Sequence, residues 1–119
     1  MTLRHERMAS VIQQHIPTII RREINSSGIG FISITEVKVS EDFSKALVYY
    51  SEIGSDEQKK KTRRALSKAS KTIKFHMGRV LQTQSIPHLI FLFDESVERG
   101  VDLVNKINAL SNADEDPTP

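Results

Sequence analysis

The 119-residue chain has no cysteine. That excludes a disulfide framework, thiolate-bound zinc, iron–sulfur clusters and a cysteine nucleophile, and it fits a reducing compartment. No purely apolar run is longer than the five residues from Leu89 to Phe93. A transmembrane helix needs about 20, so no membrane span is expected. The opening residues, Met-Thr-Leu-Arg-His-Glu-Arg, hold no apolar stretch, so no secretory signal is expected. The P-loop, GxGxxG, GxSxG and HExxH patterns are absent. His5, His15, His76 and His88 show no metal-ligand spacing, which favours core or surface roles. Asp94-Glu95 fits strand-end and cap chemistry better than an acid–base pair, and Glu41-Asp42 fits a turn. Gly28 and Gly30 are two residues apart and precede a strand, so a phosphate loop is not expected there. The expectation is no enzyme, no metal and no cofactor.

Acid is also missing from one third of the chain. Residues 59–93 contain nine basic groups and neither aspartate nor glutamate. The remainder carries eight basic and fifteen acidic groups, so a net charge of +2 conceals a strong local positive field. Clustered cations attract polyanions and release their counterions on contact. A solvated helix face is the alternative, but ordinary surface helices intersperse both signs.

What remains is an ordinary globular composition, 38% hydrophobic and 27% charged. Residues 3–24 carry an apolar stripe (Met8, Val11, Ile12, Ile16, Ile19, Ile20, Ile24) at helical spacing. Pro17 inside it predicts a kink or a break into two helices. Phe31 to Val39 predicts a strand. Ile32 and Ile34 disagree in parity with Val37 and Val39, and a bulge near Thr35 would reconcile them. Ser44 to Ser51 predicts a second strand, antiparallel to the first. Ser55 to Gln58 matches a capping box, in which Ser55 accepts from the Gln58 amide and the Gln58 side chain reaches back. The helical pattern beyond it buries Ala65, Leu66, Ala69, Ile73, Met77, Val80 and Leu81 on one face. Lys60, Lys61, Arg64, Lys68, Lys71 and Arg79 fall on the other face. A continuous helix projects Phe75 into that basic stripe. A bend or a tertiary contact is favoured for this ring over a base-stacking platform.

Leu89-Ile90-Phe91-Leu92-Phe93 does not alternate, which predicts a strand buried on both faces or central in the sheet. A last helix is expected along Val97, Val101, Val104, Ile107 or Asn108, and Leu110, capped by Asp94 or Ser96. The acidic, proline-bearing residues 111–119 are expected to be a disordered tail after a single domain spanning 1–110. The fold class is α+β, ordered α-β-β-α-α-β with the added C-terminal helix. Its three-stranded sheet carries helices on one face, and the long crossover into the third strand suits a parallel or next-but-one return.

These segments, in this order, resemble the ribosome-binding factor A family from about Arg4 to Asn108. The matching pieces begin with His-Glu-Arg-Met and Arg-Arg-Glu-Ile in the first helix. Phe-Ile-Ser-Ile-Thr-Glu-Val-Lys-Val-Ser and Glu-Asp-Phe-Ser-Lys-Ala-Leu-Val-Tyr-Tyr follow. Ala65-Leu66-Ser67-Lys68-Ala69-Ser70-Lys71, Gly78-Arg79, Ile86-Pro87-His88-Leu89 and Phe93-Asp94-Glu95-Ser96 complete the set. The resemblance implies a type II KH-like fold. KH modules clamp nucleic-acid backbone with a GXXG loop, and the family instead has an Ala-x-Gly kink between two helices. Here Ala69-Ser70-Lys71 stands at that place without the glycine. Either the kink uses dihedrals open to lysine, or the helices run nearly straight.

The resemblance further implies a noncatalytic, cytoplasmic assembly factor with no small-molecule substrate, expected to be a monomer. It would bind the immature small (30S) ribosomal subunit and its 16S rRNA and aid late maturation and rRNA processing. Candidate phosphate contacts are Lys60, Lys61, Arg64, Lys68, Lys71, Lys74 and Arg79, with Ser70 as a hydroxyl donor. Arg4, Arg7, Arg21 and Arg22 are secondary candidates. A module that meets an acidic protein, and a general binder of single-stranded RNA, are the competing readings of the same basic face.

Overall fold

The computed structural model describes residues 2–24, 28–82 and 85–95. The expected C-terminal helix and the expected tail, residues 111–119, lie outside the described residues. The described chain runs α1 (Leu3–Glu23), β1 (Phe31–Val39), β2 (Lys45–Ile53), α2 (Asp56–Leu81), β3 (His88–Phe93). The sheet order is β1-β2-β3, with β1 antiparallel to β2 and β3 parallel to β2. This is a KH-like α+β arrangement, with α1 against β1 and α2 against α1 and β3.

Helix α1 is a single element through Pro17, not two helices. A proline inside a helix costs about 3 kcal/mol. Ile12 and Ile16 before it, and Ile19 and Ile20 after it, are all buried in one core. Each such burial contributes about 1.5–3 kcal/mol, which outweighs the lost hydrogen bond. Thr2 caps the helix, and His5 completes a reciprocal capping box that the sequence reading missed.

The bulge expected near Thr35 is present, as a register shift between Ile34 and Glu36. It turns Ile32, Ile34, Val37 and Val39 toward the same, helix-covered face, opposite Glu52, Tyr50, Val48 and Ala46 in that order. The Gln13 side-chain amide donates to the Ile34 and Thr35 carbonyls at 3.4 and 3.3 Å, which ties α1 to the bulge.

Helix α2 corrects the expected helix pair. It runs unbroken for 26 residues through Ala69-Ser70-Lys71. Phe43 and Gln82 are the non-glycine residues with positive φ among those described, so Lys71 sits in ordinary helical backbone and no glycine is needed. Ser55 caps the helix by accepting from the Gln58 amide at 3.1 Å. The Gln58 side chain does not close the expected box; its amide turns inward, donating to Thr62 Oγ1 at 3.2 Å.

The last strand is also corrected. β3 is an edge strand, and it alternates despite its apolar sequence. Leu89 is buried and Phe91 and Phe93 are half-buried, while Ile90 and Leu92 are exposed. Both helices lie on one face of the sheet, and among the described residues nothing covers the other. A strand in that position buries one face only, whatever its composition.

Candidate nucleic-acid interface

Helix α2 is the scaffold of the site. Thr62, Leu66, Ile73 and Met77 are buried on one side, which fixes the rotation of the helix about its axis. Lys60, Lys61, Arg64, Lys68, Lys71 and Arg79 are exposed as a consequence. None of these six cations has a carboxylate partner among the described residues. Among the described residues, then, no carboxylate competes with an external anion for their donors.

Two other predicted contacts are engaged locally. Lys74 is half-buried and lies on the flank toward β3, where its ammonium donates to His88 Nδ1 at 3.3 Å. The Ser70 hydroxyl donates to the Ser67 carbonyl of its own helix at 2.9 Å, so its one proton is already used. Of the secondary candidates, the Arg4 guanidinium sits 5.1 Å from the centre of the Phe43 ring. Arg21 donates to Thr18 Oγ1 at 3.4 Å. Arg7 and Arg22 are exposed.

An open groove of about 620 Å³ runs between the end of α1 and the middle of α2. Lys61, Arg64 and Lys68 line it from α2, and Glu23, Ile24 and Gly28 from the other side. It brings three of the predicted cations to one concave surface. His76 lies 3.5 Å from Glu23 across the two helices, an ion pair when the imidazole is protonated.

A second cleft, of about 340 Å³, lies on the other flank of α2, lined by Lys59, Lys60, Arg63, Tyr50 and Phe93 among others. Lys59 reaches over the Phe93 ring at 5.3 Å. Burial pushes the Tyr50 hydroxyl pKa up, opposed by the positive Arg63 beside it. Lys59 and Arg63 were not among the predicted contacts. Their partners come from β2 and β3, and a helical wheel alone could not place them there.

The polar core beneath the site also escaped the sequence reading. Glu52 is buried and its Oε2 accepts from the Thr62 hydroxyl at 2.7 Å. Thr62 Oγ1 in turn accepts from the Gly30 amide at 3.0 Å. His5 is a core histidine, while Asp94 accepts from the Thr35 hydroxyl at 2.6 Å, a structural role joining the end of β3 to the bulge.

Comparison with known proteins adds to this geometry. The family model described as ribosome-binding factor A matches residues 4–107. The chain is 39% identical to ribosome-binding factor A of Pseudomonas entomophila over 102 residues, covering 84% of this chain and 77% of that one. It is 35% identical to the Dictyoglomus thermophilum protein of that name, with 97% of each chain covered. Among solved structures, ribosome-binding factor A of Thermus thermophilus matches with a TM-score of 0.63 at 20% identity, over 74% of this chain and 93% of that one. The Thermus protein as fitted into the cryo-EM map of its 30S complex matches with a TM-score of 0.58 at 19% identity, over 81% and 97% of the two chains. These structures share the fold, and the sequence matches carry the kinship. An almost full-length match, on a KH-like frame whose helix α2 presents a row of exposed cations, places the chain in the ribosome-binding factor A family.

Proposed function

We propose that the chain binds the immature small (30S) ribosomal subunit through its 16S rRNA, as a monomer in the cytoplasm. There it aids late maturation and rRNA processing without catalysing a reaction. The observation that carries the reading is the row of exposed cations on α2, with Lys61, Arg64 and Lys68 lining one groove. Phosphate contacts of this kind supply affinity and orientation, while the shape of the folded RNA supplies selectivity. The relative whose coordinates were fitted into a 30S complex supports the choice of partner.

Sedimentation of tagged protein with purified small subunits at two salt concentrations tests the reading. The expected result is comigration at low salt that is lost at high salt. Arg64→Glu, Lys68→Glu and Lys71→Glu together remove three phosphate contacts, which should flatten the slope of log affinity against log salt by about 2. A folded triple variant that binds like the parent would overturn the assignment. Equally tight binding to any free single-stranded RNA would point instead to a general RNA binder.

A further inference from the structure

Phe75 stands where a soluble helix has little reason to place a phenyl ring. It is 65% exposed and lies outside the hydrophobic core. Its ring meets the neighbouring His76 edge-on, with centroids 5.2 Å apart. One exposed apolar side chain is ordinary on a protein surface; the position of this one is not. It lies in the middle of the basic face, with Lys71 one turn before it and Arg79 one turn after it, both exposed. Gly78, on the adjoining diagonal, presents no side chain. The ring is thus a flat apolar surface framed by cations, on an unbroken helix and outside the core that the described residues form.

We propose that Phe75 is a stacking platform for one unpaired base of the RNA that lies along α2. The proposal rests on the RNA-binding reading above. Aromatic rings set in a positively charged track are how sequence-tolerant sites hold single-stranded bases, because every base offers a π-face. Lys71 and Arg79 would hold the phosphates on either side of the stacked nucleotide, so the ring adds a contact that does not depend on charge. A protein partner would use Phe75 differently, inserting it into an apolar pocket where shape and volume matter and planarity does not.

The test measures the affinity of the full chain for purified small subunits across a salt series. Phe75→Ala and Phe75→Leu should each weaken binding by about 5- to 150-fold, the loss expected for one stacked base. Phe75→Tyr and Phe75→Trp should bind like the parent. The log–log salt lines of all four should stay parallel to the parent's, since no cation is removed. The ring is exposed, so thermal melts should confirm that all four fold. p-Benzoylphenylalanine at position 75 should cross-link to RNA on irradiation.

Full binding by Phe75→Leu, or a cross-link to a ribosomal protein, would overturn stacking in favour of an apolar protein contact. Full binding by both Phe75→Ala and Phe75→Leu, with the charge-reversed variant still impaired, would refute the platform and leave the RNA reading standing. A parent chain that binds neither small subunits nor RNA would remove both.

Discussion

His5 stacks on Phe43 with ring centroids 4.0 Å apart and planes 17° apart. This pair fastens the start of α1 to the β1–β2 turn. His5 Nε2 lies 2.9 Å from the Glu41 carbonyl, and its Nδ1 lies 2.7 Å from Thr2 Oγ1. The ring fits as the Nε2–H tautomer, donating to Glu41 and accepting at Nδ1 from Thr2. Phe43 holds a left-handed backbone, with φ of 62°, a conformation a non-glycine residue keeps only when its surroundings impose it.

His5→Ala removes the reciprocal cap, the bond to Glu41 and the ring stack together. A loss of about 3 kcal/mol is expected, from typical values for a cap, a hydrogen bond and an aromatic pair. Urea unfolding measures it. A change below about 0.5 kcal/mol would show that α1 does not depend on this anchor.

Thr62→Val preserves shape but deletes the hydroxyl that joins Glu52 to Gly30. The Glu52 carboxylate loses its donor, and the Gly30 amide loses its acceptor. Glu52 Oε1 already has no partner among the described residues. Leaving buried polar groups unsatisfied costs about 1–3 kcal/mol each, so the variant should melt at least about 6 °C lower. An unchanged melting temperature would mean that water replaces the hydroxyl.

Two nearby glycines should respond differently to alanine. A Cβ on Gly30 would run into Glu52 Oε2 and lie 3.1 Å from Gln58 Nε2. Gly30→Ala is expected to cost about 1–3 kcal/mol, as overpacking does. A Cβ on Gly28 would meet Ala65 Cβ at 3.4 Å, an ordinary contact, so Gly28→Ala should be nearly neutral. Paired denaturation curves decide it; equal losses would refute the steric account.

Lys71→Ala and Lys74→Ala remove the same charge from one helix, but from different sides. Lys71 is exposed on the basic face, whereas Lys74 is held against His88. If the basic face contacts phosphates, Lys71→Ala should weaken small-subunit binding several-fold and Lys74→Ala by less than about 2-fold. Isothermal titration at low salt compares them. The reverse order would move the interface toward β3.

Asp42 sets a pH dependence in the β1–β2 turn. Bonds from the Ser44 hydroxyl and amide, then from the Ser40 hydroxyl, lower its pKa from 3.8 to about 2. A lowered carboxyl pKa stabilises the turn at pH values above the unfolded one, and that contribution is lost as pH falls from near 4 through about 2. Carboxyl carbon shifts followed by NMR should give a midpoint near 2. Ser44→Ala, which removes the largest cause, should raise it toward 3.8; an unmoved midpoint would contradict the assignment.

The sequence by itself determined what short-range periodicity encodes. The stripe from Leu66 to Met77 set which face of α2 turns inward and therefore which lysines face water. The parity conflict between Ile34 and Val37 marked the bulge, and Ser55 marked the start of α2. The order of elements was read from the same patterns, and the family resemblance identified that order as KH-like.

The tertiary structure decided whatever depends on partners far along the chain. The apolar run from Leu89 to Phe93 does not record how many faces of its strand will be covered; edge position and one-sided helix packing left Ile90 and Leu92 exposed. Nothing beside Lys74 in sequence shows that His88 will take its ammonium, and nothing near Thr62 announces Glu52 or Gly30. Even the straightness of α2 past Ala69 is a tertiary outcome, because Leu66, Ile73 and Met77 must meet a single core on both sides of that point. Periodicity is written within a few residues, whereas burial and hydrogen-bond partnership are fixed only when the elements pack.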